Sequence, residues 1–249
     1  MKRRVDDTQG IYPTKMNHLQ RPITKEEIQF YRENGFVCLR QIISQDAIQL
    51  LRESLEEAFN RDDRLHGART DMTKAANALE KEGKTILMDR AATTSSSTNN
   101  NKINKNNNKE GRYLTEIECG RWNKGVRKFE HEGPLPEICG TLIGSEQIRF
   151  WGDHCFLKEA GSKIRTAFHQ DAPYFPFTGN DACVCWVPVD SVSKESGAMG
   201  YVKGSHVWPE YSPNALVTNE RTHNDETPTL PNIEANESQY DITYFDAVS

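Results

Sequence analysis

A series of short apolar segments in the second half of the chain constrains its fold most strongly. They cover residues 147–157, 182–188 and 197–202, and clusters of glycine and polar residues separate them. Such segments, divided by turn-forming residues, predict the strands of an antiparallel sandwich or barrel. Residues 240–246 alternate between polar and apolar side chains and predict one more strand. We therefore expect a mainly β protein.

Two helices are predicted ahead of these strands. Thr24 and Glu27 have the spacing of a capping box, in which each side chain bonds to the backbone N–H of the other residue. Ser44 is placed to cap a second helix, because apolar residues recur at helical spacing over residues 47–59. Residues 36–40 read as a short strand between the two. Both helices are expected to pack against the core, which needs no functional explanation.

The length and net charge of the chain indicate how many domains and which partners to expect. A chain of 249 residues fits one domain, and we expect residues 1–249 to form a single one. The net charge of −5 comes from interspersed acids and bases, so nucleic acid is not an expected partner. No segment is apolar over the length needed to span a bilayer, which predicts a cytoplasmic protein that has no membrane partner.

One stretch is too polar to fold. Residues 91–110 consist mostly of Ala, Ser, Thr, Asn and Lys. This composition buries too little apolar surface to offset the entropy lost on ordering. We expect a disordered surface insertion, and a low-complexity expansion explains it better than a binding loop does.

The six cysteines are scattered through apolar stretches, as expected of reduced thiols in a protein that is not secreted. Cys183 and Cys185 could face a metal ion together, since alternate residues of a strand share a face. An ordinary apolar strand explains the same pattern more simply, and we adopt that interpretation.

His169 and Asp171 lie two residues apart in the most informative segment of the chain, residues 168–175. If this segment is a strand, both side chains leave the same face and can bind one metal ion. An imidazole and a carboxylate are two thirds of the 2-His-1-carboxylate site that holds Fe(II) in oxygenases. A His-x-Asp pair by itself is a weak signal, because it also arises by chance, so its sequence context decides.

Four motif blocks around this pair resemble the phytanoyl-CoA dioxygenase family. They follow the family's order and cover residues 168–177, 184–190, 196–199 and 202–206. Residues 24–59, with a Gly-Phe-Val segment between two predicted helices, resemble the start of the same family. The resemblance implies a double-stranded β-helix, which is a jelly roll of the cupin type. It also implies Fe(II) as the metal, 2-oxoglutarate as the co-substrate and a small molecule as the substrate.

The resemblance further implies roles for individual residues. A lone histidine is more often a satisfied core or surface residue, and aromatic residues after a strand more often just pack, so each role has a plainer alternative. The implied metal ligands are His169 and Asp171, the residues implied to border 2-oxoglutarate are Trp186, Gln170 and His154, and those implied to wall the substrate side are Tyr174 and Phe175.

Two parts of the family's site are expected after the segment at 240–246, namely a second histidine ligand and an arginine for the distal carboxylate of 2-oxoglutarate. Downstream of the metal motif the sequence offers His206 and His223 as histidines and Arg221 as the arginine. His206 belongs to a Gly-Ser-His turn that is structural in the family, and the other two lie in a polar loop. We therefore expect a fold that is incomplete at its C-terminal side, a fragment or incomplete gene model, and a chain that is nearly inactive.

Three functions remain open at this stage. The leading hypothesis is an Fe(II)/2-oxoglutarate-dependent dioxygenase that hydroxylates a small or lipid-like molecule. The alternative is a non-catalytic double-stranded β-helix protein that acts by binding a ligand or a partner. In a third reading the chain is a metal-independent jelly roll, and His169 and Asp171 are paired by accident. Fold alone does not choose a substrate.

Overall fold

The structure is a computed structural model that describes residues 11–13, 18–61, 68–88, 111–179, 181–222 and 226–246. The predicted insertion at residues 91–110 and the loop residue His223 lie outside these ranges. Within them no helix has both the length and the apolar content of a membrane-spanning segment. The helices are α1 (Lys25–Asn34), α2 (Gln45–Asn60), α3 (Met72–Lys81), α4 (Lys124–Glu132) and α5 (Leu135–Ile143).

The described strands form three small antiparallel sheets. One pairs β1 (Ile11–Pro13) with β4 (Gln147–Arg149), and another pairs β6 (Gly200–Val202) with β7 (Ile242–Tyr244). The third has the order β2-β3-β5. Its strands are β2 (Ala68–Asp71), β3 (Tyr113–Ile117) and β5 (His154–Lys158).

The expectation of a mainly β chain is wrong for the described residues, in which helices contain more residues than strands do. The two packed sheets of a complete jelly roll are not seen among them either, because the sheets are separate and have at most three strands. The double-stranded β-helix therefore stays a prediction. Residues 36–40 and 182–188, both predicted as strands, form no strand in the described part of the chain.

The segment at 182–189 shows why the strand prediction failed. Cys185 packs on the core around Ile138 and Leu142, while Val187 and Val189 pack on the core between α2 and α4. The apolar run therefore reflects packing of its side chains on two cores. An apolar run indicates which side chains are buried, and it does not report whether the backbone pairs with a neighbouring strand.

Helix α1 begins where the sequence predicts it. The Glu27 N–H donates to Thr24 Oγ1 at 3.2 Å, and the Thr24 N–H donates to Glu27 Oε2 at 2.8 Å, so the predicted capping box is present. The helix ends at Gly35, whose φ of 85° is in the left-handed region that favours glycine.

The end of α1 also joins the first part of the chain to its last part. A Cβ atom at Gly35 would lie 2.6 Å from the ring of His206, so this contact requires glycine. The next residue, Phe36, stacks on Tyr201 with ring centroids 5.2 Å apart and meets Phe245 edge-on at 5.6 Å. Residues beside β6 and β7 therefore hold α1 in place.

A buried ion pair fixes the end of α2 to the three-stranded sheet. Glu116 on β3 is 3% exposed, and Arg69 on β2 donates to its Oε2 at 2.9 and 2.7 Å. The same guanidinium donates to the carbonyls of Ala58 and Arg61 at the C-terminal end of α2. One arginine therefore neutralises a buried acid and satisfies helix carbonyls that have no partner within the helix.

A second buried acid, Glu130 on α4, lies beside the start of β5. Glu130 is 6% exposed and lies beside Asp153, whose carboxylate accepts the N–H groups of Cys119 and Gly120 at 2.8 and 3.0 Å. Burial, and then the neighbouring charge of Asp153, raise the pKa of Glu130 to about 9. Glu130 is therefore protonated and neutral at pH 7.

Glu130→Gln is expected to change how stability depends on pH. The unfolded chain loses the Glu130 proton near pH 4.5, whereas the folded chain keeps it up to about pH 9. Between these values the folded state binds more protons, so this group lowers the free energy of unfolding by about 1.4 kcal/mol for each unit of rising pH. The stability of the wild type relative to Glu130→Gln should therefore fall as the pH rises from 5 to 9.

Urea denaturation followed by circular dichroism at several pH values measures this difference. Glu132→Gln removes a carboxylate from the exposed side of the same helix and is the matched control. An equal pH dependence in the wild type and in Glu130→Gln would contradict the assignment of a neutral Glu130.

Candidate metal centre

His169 and Asp171 meet as the sequence predicts, although not on a strand. The His169 Nε2 and Asp171 Oδ1 atoms are 3.2 Å apart. Residues 165–171 belong to no strand, and Asp171 has helical φ and ψ angles of −74° and −35°. It precedes a short 3₁₀ helix, Ala172–Tyr174, in which Pro173 favours the turn. This turn, instead of the alternation of a strand, brings the carboxylate back to the imidazole.

The hydrogen bonds of His169 determine which ring nitrogen faces Asp171. The Nδ1 atom lies 2.8 Å from the Ala167 carbonyl oxygen. Because a carbonyl can only accept, Nδ1 carries the proton, and the lone pair of Nε2 faces the carboxylate when the ring is neutral. Histidines that bind metals typically donate their other N–H in this way.

The protonation of His169 reflects two opposing effects. Burial lowers the pKa of the imidazole, but hydrogen bonds to Asp171 and Ala167 and the charge of Asp171 outweigh it, so the pKa is raised overall. The Asp171 side chain is 47% exposed and that of His169 is 20% exposed. One edge of the pair is therefore open to a ligand from solvent.

His154, predicted to border the co-substrate, lies near the same pair. It is the first residue of β5, opposite Ile117 of β3. Partial burial lowers the pKa of His154, the charges of Asp153 and Asp171 oppose this, and the charge of His169 lowers it further. The ring also packs on Phe156, with centroids 4.1 Å apart. The sheet thus brings a third predicted residue to the site, and its role there stays a prediction.

Two long-range side chains hold the backbone just before His169. The Phe168 N–H donates to Glu234, and the Phe168 carbonyl accepts from Asn214 at 3.0 Å. Asn219 closes this network through its side chain. Its Oδ1 accepts from the Asn214 side chain at 2.6 Å, and its Nδ2 donates to Glu234 at 3.0 Å. We call Asn214, Asn219 and Glu234 the amide clamp. It replaces the ladder that a strand would provide.

Sequence reasoning missed the amide clamp. Its three residues lie in the polar region after residue 212, which reads only as a long loop. A polar residue with no periodic neighbours gives no sign of a partner 46 or 66 residues away along the chain. The one available signal is that Asn219 and Glu234 lie next to or near apolar residues, Val217 and Ile233, which are buried in the structure.

Gln170 and Trp186 occupy different surroundings. The amide of Gln170 donates to the Pro209 carbonyl at 3.0 Å and accepts the Tyr211 N–H at 2.9 Å, so it fixes residues 209–211 next to the metal motif. Trp186 is half-buried and lies between Cys185 and Val187, whose side chains pack into the cores. Their roles beside 2-oxoglutarate stay predictions.

The aromatic residues after the motif form a continuous surface. Tyr174 meets the edge of His169 with ring centroids 5.9 Å apart, and its hydroxyl bonds to Asn214 of the amide clamp. Phe175 stacks on Phe177 at 5.3 Å, and Phe177 meets Trp151 at the same distance. Of the two predicted substrate residues, Tyr174 lies beside His169 and Phe175 follows it in the chain, and contact of either with a substrate stays a prediction.

The remaining candidates for a complete site are engaged elsewhere. His206 Nε2 donates to the Arg32 carbonyl at 3.2 Å, and Arg221 donates to the Thr227 carbonyl at 2.7 Å. In the ranges that the structure describes, no three His, Cys, Asp or Glu side chains have the arrangement of a metal site. His169 and Asp171 are the two predicted ligands that the described structure brings together, and their binding of a metal stays a prediction.

Comparison with known proteins decides the family. The family model for phytanoyl-CoA dioxygenase matches residues 31–243, a range that includes the metal pair, the amide clamp and both N-terminal helices except the first turns of α1. The chain belongs to the phytanoyl-CoA dioxygenase family. This confirms the resemblance predicted from the motif blocks.

The curated relatives are distant. The peroxisomal phytanoyl-CoA dioxygenase of Rattus norvegicus is 21% identical over 193 residues, which are 75% of this chain and 48% of the relative. The human protein of the same name is 23% identical over 190 residues, or 74% of this chain and 48% of the relative. A probable alpha-ketoglutarate-dependent hypophosphite dioxygenase of Stutzerimonas stutzeri is 26% identical over 124 residues, 45% of this chain and 43% of that protein. The chain spans about half the length of these relatives.

A solved structure shares the fold. It is the crystal structure of SnoK, a non-heme alpha-ketoglutarate-dependent carbocyclase from nogalamycin biosynthesis. The match has a TM-score of 0.52 and 18% sequence identity, and it covers 91% of this chain and 72% of SnoK. The described helices and small sheets therefore share the fold of SnoK.

Asn214→Ala is expected to destabilise the chain and to loosen the metal pair. Asn214 is 7% exposed, and its removal leaves the Phe168 carbonyl without its side-chain donor. A buried polar group that loses its partner costs about 1–3 kcal/mol, which should appear as a lower free energy of unfolding. Chemical denaturation measures it, with Asn77→Ala on the exposed side of α3 as the control. Equal stability of the two variants would show that the amide clamp does not hold the motif.

Proposed function

We propose that this protein is an Fe(II)/2-oxoglutarate-dependent dioxygenase that oxidises a small or lipid-like substrate. The observation that carries the proposal is the pairing of His169 Nε2 with Asp171 Oδ1 at 3.2 Å inside the motif of its family. A neutral imidazole nitrogen and a carboxylate oxygen are the donors that non-heme Fe(II) oxygenases use. The carbonyl of Ala167 already holds the imidazole in the tautomer that a metal requires.

An imidazole nitrogen and a carboxylate oxygen fit the metal in type, and a third donor would complete the triad. His169 and Asp171 would hold Fe(II), and the ion would supply the redox chemistry that couples dioxygen and 2-oxoglutarate to substrate oxidation. The imidazole must be neutral to bind, so its proton leaves to solvent through the exposed edge of the pair. The amide clamp keeps the backbone at Phe168 fixed while this happens.

We place 2-oxoglutarate beside Trp186, Gln170 and His154, as the family implies. The nearness of His154 to His169 and Asp171 supports this placement. Gln170 would act there by fixing residues 209–211, because its amide already bonds to that backbone. The similarity to SnoK in fold supports a double-stranded β-helix as the complete architecture.

The substrate would approach over the aromatic surface of Tyr174, Phe175, Phe177 and Trp151. Three of these rings are exposed, at 42% for Tyr174, 38% for Phe177 and 46% for Trp151. Exposed aromatic rings next to a metal pair suit a substrate with an apolar body, since stacking and burial of such rings favour apolar groups. This supports a lipid-like or other apolar small molecule.

The alternative function is ligand or partner binding by the same fold without catalysis. Two observations favour it. The described residues bring together two candidate metal donors, and Arg221 donates to the Thr227 carbonyl in its own loop. In that case the His169 and Asp171 pair would be a remnant of the site.

Anaerobic titration with Fe(II) and 2-oxoglutarate tests the proposal. The complex should give a metal-to-ligand absorption band in the wild type, and the apparent affinity for Fe(II) should fall at least about tenfold in His169→Ala and in Asp171→Ala, because each loses a coordination bond. His18→Ala removes an exposed histidine and should keep the band.

The outcomes separate the two functions. A band in the wild type and in His18→Ala that is lost in both ligand variants supports the dioxygenase. The absence of a band in a folded wild type supports the non-catalytic alternative. A band that persists in both ligand variants would place the metal elsewhere and overturn the assignment of His169 and Asp171. Circular dichroism checks that each variant is folded.

A further inference from the structure

Three cysteines from two separate segments meet away from the metal pair. Cys139 lies on α5, whereas Cys183 and Cys185 lie just before Trp186. The Sγ atoms of Cys139 and Cys185 are 3.5 Å apart. The Cys183 thiol lies beside the other two. We call this group the thiol cluster.

The thiol cluster is neither a metal site nor an inert part of the core. In the residues that the structure describes, no three such side chains are arranged to bind a metal. All three cysteines are only half-buried, and Val184, between two of them, is 64% exposed. The segment that carries Cys183 therefore lies at the surface, where a small reagent can reach it. Cys119, in contrast, is fully buried.

We propose that the thiol cluster is a site of thiol–disulfide exchange with low-molecular-weight disulfides, with Cys183 as the entry thiol and a Cys139–Cys185 disulfide as the product. The sulfur separation of 3.5 Å supports this product, because closure to a bond of about 2.05 Å needs a movement of roughly 1.5 Å. Side-chain rotation and a small backbone shift can supply a movement of this size.

Exposure and neighbouring groups select the entry thiol. Cys183 precedes Val184, which is 64% exposed, so this end of the segment meets solvent. The neighbouring Cys139 and Cys185 also lower the pKa of Cys183, which favours its thiolate. The contact with Cys183 raises the pKa of Cys139, so Cys139 remains a thiol. Because the thiolate is the attacking form, Cys183 is the residue that reacts first with an external disulfide.

Each exchange step conserves atoms and electrons. The Cys183 thiolate attacks one sulfur of the external disulfide, the S–S bond breaks, and one small thiolate leaves. Cys139 then loses its proton and attacks the Cys183 sulfur, which releases the second small thiolate. Finally Cys185 loses its proton and attacks the Cys139 sulfur, which frees the Cys183 thiolate. Two protein thiols are thus oxidised, one external disulfide is reduced, and the two protons go to the two small thiolates.

The bridge would have a structural effect next to the proposed co-substrate residue. It would join α5 covalently to the residue before Trp186 and close a loop between positions 46 residues apart. Constraining the unfolded chain in this way should raise the Tm by roughly 5 °C, although strain in the bridge would reduce the gain.

Treatment of the purified protein with oxidised glutathione, followed by non-reducing peptide mapping, tests the proposal. We expect a Cys139–Cys185 crosslink with the loss of two hydrogen masses, a higher Tm, and reversal by dithiothreitol. Cys139→Ser should stop the reaction at a glutathione adduct on Cys183. Cys183→Ser should slow formation of the crosslink at least about tenfold, because the reactive thiolate is lost.

Cys38→Ser provides the matched control, because Cys38 is half-buried like the cluster but lies in another segment. It should leave the rate of crosslinking unchanged, and fully buried Cys119 should stay unmodified. No crosslink in the folded wild type, or equal rates of modification at Cys38 and Cys183, would overturn the proposal. Zinc that copurifies with the protein in a ratio of one to one and protects these thiols would overturn it as well. The test needs neither iron nor 2-oxoglutarate, so it is independent of the proposed activity.

Discussion

The metal motif depends on side chains that hold the two peptide groups of Phe168. Residues 165–171 form no strand, so no ladder keeps His169 in register. Glu234 accepts the Phe168 N–H and Asn214 donates to its carbonyl, which fixes the backbone from which the imidazole projects. Only then can the Ala167 carbonyl hold Nδ1 and leave Nε2 facing Asp171. The position of His169 thus depends on hydrogen bonds between residues that are far apart in sequence. The loop that contains Asn214 and Glu234 supplies these bonds.

This architecture explains why the local parts of the molecule were predictable. The Thr24 and Glu27 capping box needs only a spacing of three residues, and the His169 and Asp171 pair needs a spacing of two. Both can therefore be recognised from residues that are close together in the sequence. The motif blocks led to the family for the same reason. Strand pairing failed as a prediction at residues 182–188, because an apolar run that packs on the core looks the same with or without a neighbouring strand.

The parts that could not be predicted all depend on distant partners. Asn214 and Glu234 are ordinary polar residues until the fold brings them to Phe168. Glu130 likewise lies on the charged helix α4, and nothing in the sequence indicates that it is buried against Asp153 and neutral. The thiol cluster is similar, since Cys139 is far along the chain from Cys183 and Cys185. A single sequence shows composition and local periodicity, and it does not show which distant residues meet to form these groups.

The junction at Gly35 has a consequence for how the chain folds. The Arg32 carbonyl and His206 are 174 residues apart in sequence, and the stack of Phe36 on Tyr201 spans a similar separation. Closing so long a loop is slow, because its entropy must be lost before the contact forms. During synthesis α1 can pack on α5 through Ile28 and Tyr31, but its C-terminal end must wait until most of the chain has left the ribosome. Until then the ring of Phe36 lacks its aromatic partners, and this period is when the nascent chain most needs protection by a chaperone.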